Sequence, residues 1–364
     1  MTKTLFILKG LDVGGAETYL LRYLRFAGRP SEYVVLCSSG RSGEFSDAFA
    51  QVATIVTTMR LGLFPSMRHV NLIGYLRRER FHAVCDFSGN FSAWTLACAR
   101  LAGVPVRLAF YRESRNQFTP TWWRNFYARC MARLTSFFAT RVLANSEEAL
   151  RHFHPSDCET RHYAVIRNGI DLASMSTLER ADVRRSLGIP AEAYVIGHTG
   201  RLAGAKNHDM IVQCAIQLCR KHADIYVLLV GNGVSEKYGS QIAALGLSHH
   251  IRCLGYRKDV MDILRALDLY YFPSLNEGQP NALIEAMLSG LPVLASDIPA
   301  IRETVPPALL PHLVAPTDAS QNLQALEACY AGTHPLLDID CVPWVRQHFD
   351  SDRQFQLFKQ QLIQ

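Results

Sequence analysis

Four charged side chains in the second half of the chain have the types and spacing to handle a phosphorylated sugar. Two are cations, Arg201 and Lys206, within Gly197-His198-Thr199-Gly200-Arg201-Leu202-Ala203-Gly204-Ala205-Lys206-Asn207-His208. Arginine offers a planar fork to two phosphate oxygens, and lysine offers a compact point charge. The other two are carboxylates, in Glu277-Gly278-Gln279-Pro280-Asn281-Ala282-Leu283-Ile284-Glu285-Ala286-Met287-Leu288-Ser289-Gly290. An ionised carboxylate only accepts hydrogen bonds, so Glu277 and Glu285 suit the hydroxyls of a polyol. Pro280 fits the first turn of a helix, where its missing N–H costs nothing, and Gly290 fits the cap. The amides of Asn281 and Ala282 are then expected to be free and, with the helix dipole, to form an anion site. Taken singly, each stretch reads more plainly as a solvated loop or helix surface. Together they point to a ligand.

For these groups to converge, each loop must leave the C-terminal end of a strand. Short β-rich runs recur at Thr4–Leu8, Tyr33–Cys37, Ala53–Thr57, His82–Phe87, Val106–Tyr111, Arg141–Ala144 and Tyr163–Ile166. A second series follows at Tyr194–His198, Ile225–Val230, Ile251–Leu254, Leu269–Phe272, Pro292–Ala295 and His312–Val314. Amphipathic stretches separate most of them, which predicts parallel sheets with helices on both faces. The 364 residues, 49% of them hydrophobic, suffice for two such domains. The expected division is an N-terminal domain over 1–167, a C-terminal domain over 168–341 and a closing amphipathic helix over 342–364.

The ordered set of motifs resembles the retaining glycosyltransferases of glycosyltransferase family 4. Its anchors are Gly14-Gly15-Ala16-Glu17, Asn145-Ser146-Glu147, Asn168-Gly169-Ile170-Asp171, Gly200-Arg201, Lys206-Asn207-His208, Val230-Gly231-Asn232-Gly233 and Leu254-Gly255-Tyr256-Arg257. The two-glutamate stretch, Gly290-Leu291-Pro292-Val293 and Ala295-Ser296-Asp297 complete it. The resemblance covers almost the whole chain. It implies the GT-B fold, α/β, with two doubly wound Rossmann-like domains facing across a cleft. It also implies a hexosyltransferase that moves a sugar from a nucleotide-sugar donor, with a UDP-sugar favoured, to a glycan or lipid-linked acceptor.

By the same resemblance, Arg201 and Lys206 hold the donor diphosphate, Glu277 binds the transferred sugar and Glu285 binds the ribose. Gly14 and Gly15 approach the phosphates, and Leu254, Tyr256 and Arg257 edge the base. Gly200 and the run Gly278, Gln279, Pro280, Asn281 and Ala282 line the rest of the donor site. No metal or other cofactor is expected, since cations and amides replace it. One departure stands out: members that carry a histidine after the fourth or fifth strand have here Phe87-Ser88-Gly89-Asn90 and Phe110-Tyr111-Arg112-Glu113-Ser114. Asn90 or Arg112 is the candidate to position the sugar or acceptor in its place.

Charge is uneven. Residues 1–170 hold 22 Lys+Arg against 12 Asp+Glu, a net of +10, and the rest hold 16 against 20, a net of −4. Such a basic half suits anionic lipid or a pyrophosphate-linked substrate. No nucleic-acid motif accompanies it, so nucleic acid is not an expected partner. Trp123, Phe126, Tyr127, Cys130, Met131, Leu134, Phe137 and Phe138 recur at helical spacing, with Arg124, Arg129 and Arg133 on other faces. That stretch is either a core-facing helix with a solvated basic side or one lying on an anionic membrane. Ten cysteines without paired spacing, and no signal or membrane-spanning run, lead us to expect a reduced, cytoplasmic protein, at most peripheral at the inner face of the membrane.

Three other readings compete. A nicotinamide oxidoreductase fails, because Gly10-Leu11-Asp12-Val13-Gly14-Gly15 is not G-x-G-x-x-G and strand two ends without an acid, in Ser38-Ser39. A nucleotide-sugar epimerase and a non-catalytic scaffold of the same fold stay open at this stage.

Overall fold

The computed structural model describes residues 3–12, 14–62, 66–112, 122–154, 162–172 and 175–363. Val13, Glu113, Ser114 and the side chain of Arg124 lie outside it. The chain divides into two units, residues 1–169 with 351–364, and residues 170–350.

In the first unit seven strands form one parallel sheet: β1 Thr4–Leu8, β2 Tyr33–Cys37, β3 Thr54–Val56, β4 Ala83–Asp86, β5 Val106–Tyr111, β6 Arg141–Ala144 and β7 Tyr163–Val165. Their order is β3-β2-β1-β4-β5-β6-β7. Strand alternation explains why the sheet is apolar on both sides. Phe6 and Leu8 of β1 join one core, with Tyr19, Tyr23, Phe87 and Phe110, while Leu5 and Ile7 join another on the opposite face.

In the second unit β8 Tyr194–Thr199, β9 Ile225–Val230, β10 Ile251–Gly255, β11 Leu269–Phe272 and β12 Val293–Ala295 pair in parallel, in the order β10-β9-β8-β11-β12. The thirteenth expected strand, His312–Val314, is reduced to a single bridge between Val314 and Ser296. Pro306, Pro307 and Pro311 hold the preceding chain in a 3₁₀ turn, Pro307–His312, where a ladder would lack N–H donors.

The closing segment is also different from expectation. It is two helices, Val342–Phe349 and Ser351–Ile363, interrupted at Asp350, whose ψ of 123° is extended rather than helical. Asp350 bridges Ile170, and Ile170 N–H donates to the Phe349 carbonyl at 2.8 Å. Each helix then buries its own apolar stripe in a different core: Val345 and Phe349 in the second unit, Phe355, Phe358 and Leu362 in the first. Phe358 stacks edge-on with Tyr23 at 4.7 Å.

Candidate active site

Strand order in a doubly wound sheet reverses direction at one point, where the loops leave to opposite faces and open a crevice. In the second sheet that point lies between β8 and β11. The loop after β8 carries Arg201 and Lys206, and the loop after β11 carries Glu277. Sequence positions more than seventy residues apart are thereby brought together.

The two loops are fastened to each other. Leu275 N–H donates to the Ala205 carbonyl at 2.8 Å, and Asn207 Nδ2 donates to the carbonyls of Pro273 (3.0 Å) and Pro316 (2.8 Å). Between the charged groups, Lys206 Nζ donates to Glu277 Oε1 at 2.7 Å, the side chains being 22% and 9% exposed. The Lys206 ammonium also sits 5.1 Å from the Phe272 ring centroid. Arg201 is exposed and makes no hydrogen bond or ion pair among the described residues. Its fork is unspent. Gly231, after β9, has φ +154° and packs so tightly under Gly200 that any Cβ there would collide with the Gly200 carbonyl. Gly200 N–H donates to Val230, which fixes the start of the cationic loop.

The helix after the Glu277 loop runs Asn281–Leu288 with Pro280 at the cap position, one residue earlier than the expected first turn. Asn281 N–H donates to the Gln279 carbonyl at 3.0 Å, so this amide is not free, contrary to expectation. The cause is local: with Pro280 at ψ 79° the chain folds back on itself before entering the helix. Gly278 and Gln279 are half-buried on the loop, Ala282 is half-buried in the first turn, and Glu285 follows one turn on, also half-buried. Burial raises the Tyr270 phenol, and the charges of Glu285 and Glu277 add to the rise, while its bonds to Thr199 pull it the other way. That hydroxyl bonds Thr199 Oγ1 at 2.7 Å, at the end of β8. Leu254, next to last in β10, is half-buried, Tyr256 is exposed, and Arg257 is held by Asp259 through both Nε (2.8 Å) and Nη2 (2.5 Å).

Sequence reading gave no role to His198 and His208, although both lie in the quoted motif. The structure buries them as an edge-on pair, 5.1 Å between ring centroids, directly beneath the loop. His198 Nδ1 lies 3.0 Å from the Tyr271 carbonyl, which can only accept, so Nδ1 carries the proton. The ring lies face to face with Tyr270 and Phe272. Burial, then His208, and to a smaller extent Lys206, push His198 down to about 3, against the pull of that carbonyl. It is neutral at physiological pH.

In the first unit, Gly14 caps the helix Gly15–Ala27 in an extended conformation, and the Glu17 carboxylate folds against it. Nothing lies within 4 Å of where a Gly15 side chain would start. Asn90 is buried, its Oδ1 accepting from the Tyr111 hydroxyl at 2.8 Å and its carbonyl from Thr135 at 3.2 Å. Those bonds commit it to the fold. Arg112, just after β5, lies with its guanidinium carbon 3.9 Å from the Tyr19 ring centroid.

Two doubly wound units, the second carrying two cations and two carboxylates around its switch point, make up the GT-B type of glycosyltransferase. Known proteins agree. The model of Glycosyltransferase Family 4 matches residues 13–174, and that of Glycosyl transferases group 1 matches residues 193–331. A lipopolysaccharide core biosynthesis mannosyltransferase, LpcC of Rhizobium leguminosarum bv. viciae, is 32% identical over 74% of this chain and 76% of its own. The UDP-Gal:alpha-D-GlcNAc-diphosphoundecaprenol alpha-1,3-galactosyltransferase of Escherichia coli is 27% identical over 71% of this chain and 70% of its own. Among solved structures, HepE (Alr3699) of Anabaena in complex with UDP superposes with a TM-score of 0.83 at 21% identity, covering 99% of each chain. The chain belongs to glycosyltransferase family 4 and is a hexosyltransferase. These relatives do not favour the epimerase or scaffold alternatives.

Proposed function

We propose that this enzyme moves a hexosyl group from a UDP-sugar to a glycan or lipid-linked saccharide in surface-polysaccharide or glycoconjugate biosynthesis. Transfer retains the anomeric configuration and needs no divalent metal. The observation that carries this reading is the joined pair of loops at the switch point, with Arg201 unspent, Lys206 on Glu277 and Glu285 one helical turn away. Loops along the carboxyl edge of the second sheet come in the order Tyr256–Arg257, Gly231–Gly233, Gly200–Lys206 and Glu277–Pro280. From β10 to β11 is three strand spacings, about 14 Å, a fitting length for base, diphosphate and sugar laid in that order. HepE has been crystallised with UDP-glucose, which supports uridine as the base.

In the reaction the bond from the anomeric carbon to the diphosphate oxygen breaks, its electron pair leaving with the nucleoside diphosphate. The acceptor hydroxyl oxygen bonds that carbon on the face the diphosphate leaves, and its proton departs with the diphosphate. Arg201 and Lys206 face the charge that builds on the leaving group, and Lys206 replaces what a metal would supply. Glu277, with one oxygen on Lys206, keeps the other for sugar hydroxyls. Membrane contact is part of the proposal. Its support is the helix Trp122–Phe138, on which Trp122, Trp123, Phe126 and Phe137 are exposed while Met131 and Thr135 point inward.

A thermal-shift panel of UDP-, GDP- and ADP-sugars tests the donor, because a ligand that binds only the native state raises its stability. A UDP-sugar shift that disappears in Arg201→Ala is expected. A GDP-sugar shift alone would replace the base, and no shift with any donor would remove the reading. Product NMR reads the anomeric outcome, and turnover unchanged by EDTA is expected.

A further inference from the structure

We infer that the first unit carries a second anion site at Arg112, which takes a phosphate group of the acceptor. The inference rests on the glycosyltransferase reading above and adds the acceptor's chemistry to it.

Arg112 leaves β5 at the carboxyl edge of the first sheet, beside β4 and the switch point between β1 and β4. Its Nε and Nη1 atoms are buried and have no hydrogen-bond partner among the described residues. A guanidinium has five donors, and donors removed from water without acceptors are costly. The Tyr19 and Phe110 rings, 3.9 and 5.1 Å from its central carbon, hold the group and favour its charge through their π-faces, but rings offer no oxygen to its N–H edge. A flat, held fork with unspent donors is the geometry that grips two oxygens of a phosphate.

Among the described residues no carboxylate pairs with it. Glu17, whose charge Arg112 feels, forms no ion pair with it among the described residues and instead folds over Gly14 at the start of its own helix. Arg22 adds positive charge nearby. Burial lowers Arg112 to about 10, so it stays charged at neutral pH. Asn145 Nδ2 donates to the Arg112 carbonyl at 3.2 Å and fixes the residue's backbone. The proposed reaction gives the donor diphosphate to Arg201 and Lys206 of the other unit, which leaves the acceptor's phosphate as the anion for Arg112. A phosphate ester of this kind comes from a soluble sugar phosphate or from a lipid-linked saccharide.

The test uses the full chain saturated with UDP, so that added phosphate does not report on the donor site. α-Glucose 1-phosphate, glucose, geranyl diphosphate and glucuronate are titrated into wild type, Arg112→Gln and Arg112→Lys, with binding read by calorimetry. Wild type is expected to bind one or both phosphate compounds and not glucose. Arg112→Gln is expected to weaken that binding at least tenfold while leaving UDP affinity within about twofold, and Arg112→Lys to fall between. Binding of glucose 1-phosphate alone assigns a soluble source, and geranyl diphosphate alone assigns a lipid-linked one; either supports the site. Phosphate binding unchanged in Arg112→Gln, absent in wild type, or matched by glucuronate overturns it, as does a tenfold loss of UDP affinity. Should wild type fail to bind UDP, the donor reading fails instead, and the phosphate titrations without UDP still judge Arg112. If Arg112→Gln does not fold, the comparison of Arg112→Lys with wild type decides.

Discussion

Lys206 Nζ and Glu277 Oε1, 2.7 Å apart, join the loop after β8 to the loop after β11. Each is therefore the other's support, beside the ligand contact proposed for it. Removing Lys206 takes away the cation proposed for the diphosphate and leaves Glu277 largely buried without its countercharge. We expect Lys206→Ala to lower kcat/KM by roughly 10²–10³. Glu277→Gln is expected to lower it too, and the double variant to lose less than the product of the two. A double-mutant cycle on kcat/KM should give a coupling of about 0.5–3 kcal/mol. Strict additivity would mean the two act independently.

Arg201 should behave differently, because it is exposed and bonds to none of the described residues. Arg201→Ala is expected to change unfolding free energy by no more than about 0.5 kcal/mol. Its turnover should nonetheless fall by roughly 10²–10³. Urea unfolding alongside initial rates checks both halves. A rate near wild type would show that the fork is not aimed at the leaving group.

These contrasts mark what could be read from the sequence. Strands such as Thr4–Leu8 and Ile225–Val230 are buried on both faces and therefore appear as unbroken apolar runs. The loop groups Arg201, Lys206 and Glu277 were legible because a switch point gathers loops from known strand ends. The His198–His208 pair was not: nothing in residue type distinguishes a buried histidine from a solvated one, and its burial comes from Tyr270 and Phe272 on a distant strand. The split at Asp350 was hidden because both helices continue the same amphipathic pattern, and only pairing with Ile170 separates them. On the helix Trp122–Phe138, the apolar stripe was visible but its direction was not. Met131 and Thr135 face the core, and the aromatic residues at 122, 123, 126 and 137 face out.

His198 carries a pH dependence of known sign. Its folded pKa, about 3, lies below the ordinary histidine value of 6.5 given for the unfolded chain. Between those values the unfolded chain binds a proton that the native ring refuses, so stability is lost as pH falls from about 6.5 toward 3. The slope from this one group approaches about 1.4 kcal/mol per pH unit in the middle of that window. His198→Phe keeps an aromatic ring between Tyr270 and Phe272 and cannot titrate. Urea unfolding at pH 7.5, 6 and 5 should show a shallower decline in His198→Phe than in wild type. Equal slopes would mean the ring is protonated or reachable by water in the native state.

The exposed face of the helix Trp122–Phe138 makes the membrane contact testable without touching the site. Trp122, Phe126, Arg129, Arg133 and Phe137 are spaced by four, three, four and four residues, so Arg129 and Arg133 share one outward stripe with these aromatics instead of lying on other faces as expected, and Trp122 is 83% exposed. Aromatic rings beside arginines suit a headgroup layer, where rings enter the interface and guanidiniums meet lipid phosphates. Each arginine near an anionic surface contributes about 1 kcal/mol, so Arg129→Gln with Arg133→Gln should weaken binding roughly thirtyfold. Trp122→Ala with Phe126→Ala should weaken it as well, with the fold intact, since these side chains bury little. Sedimentation with phosphatidylcholine vesicles, with and without phosphatidylglycerol, reads both changes. Binding that needs phosphatidylglycerol, fades with added salt and drops in both double variants is the expected result. If no vesicle brings the protein down, or the variants sediment like wild type, this face has another purpose, and a lipid-linked acceptor must then reach the enzyme by some route other than this helix.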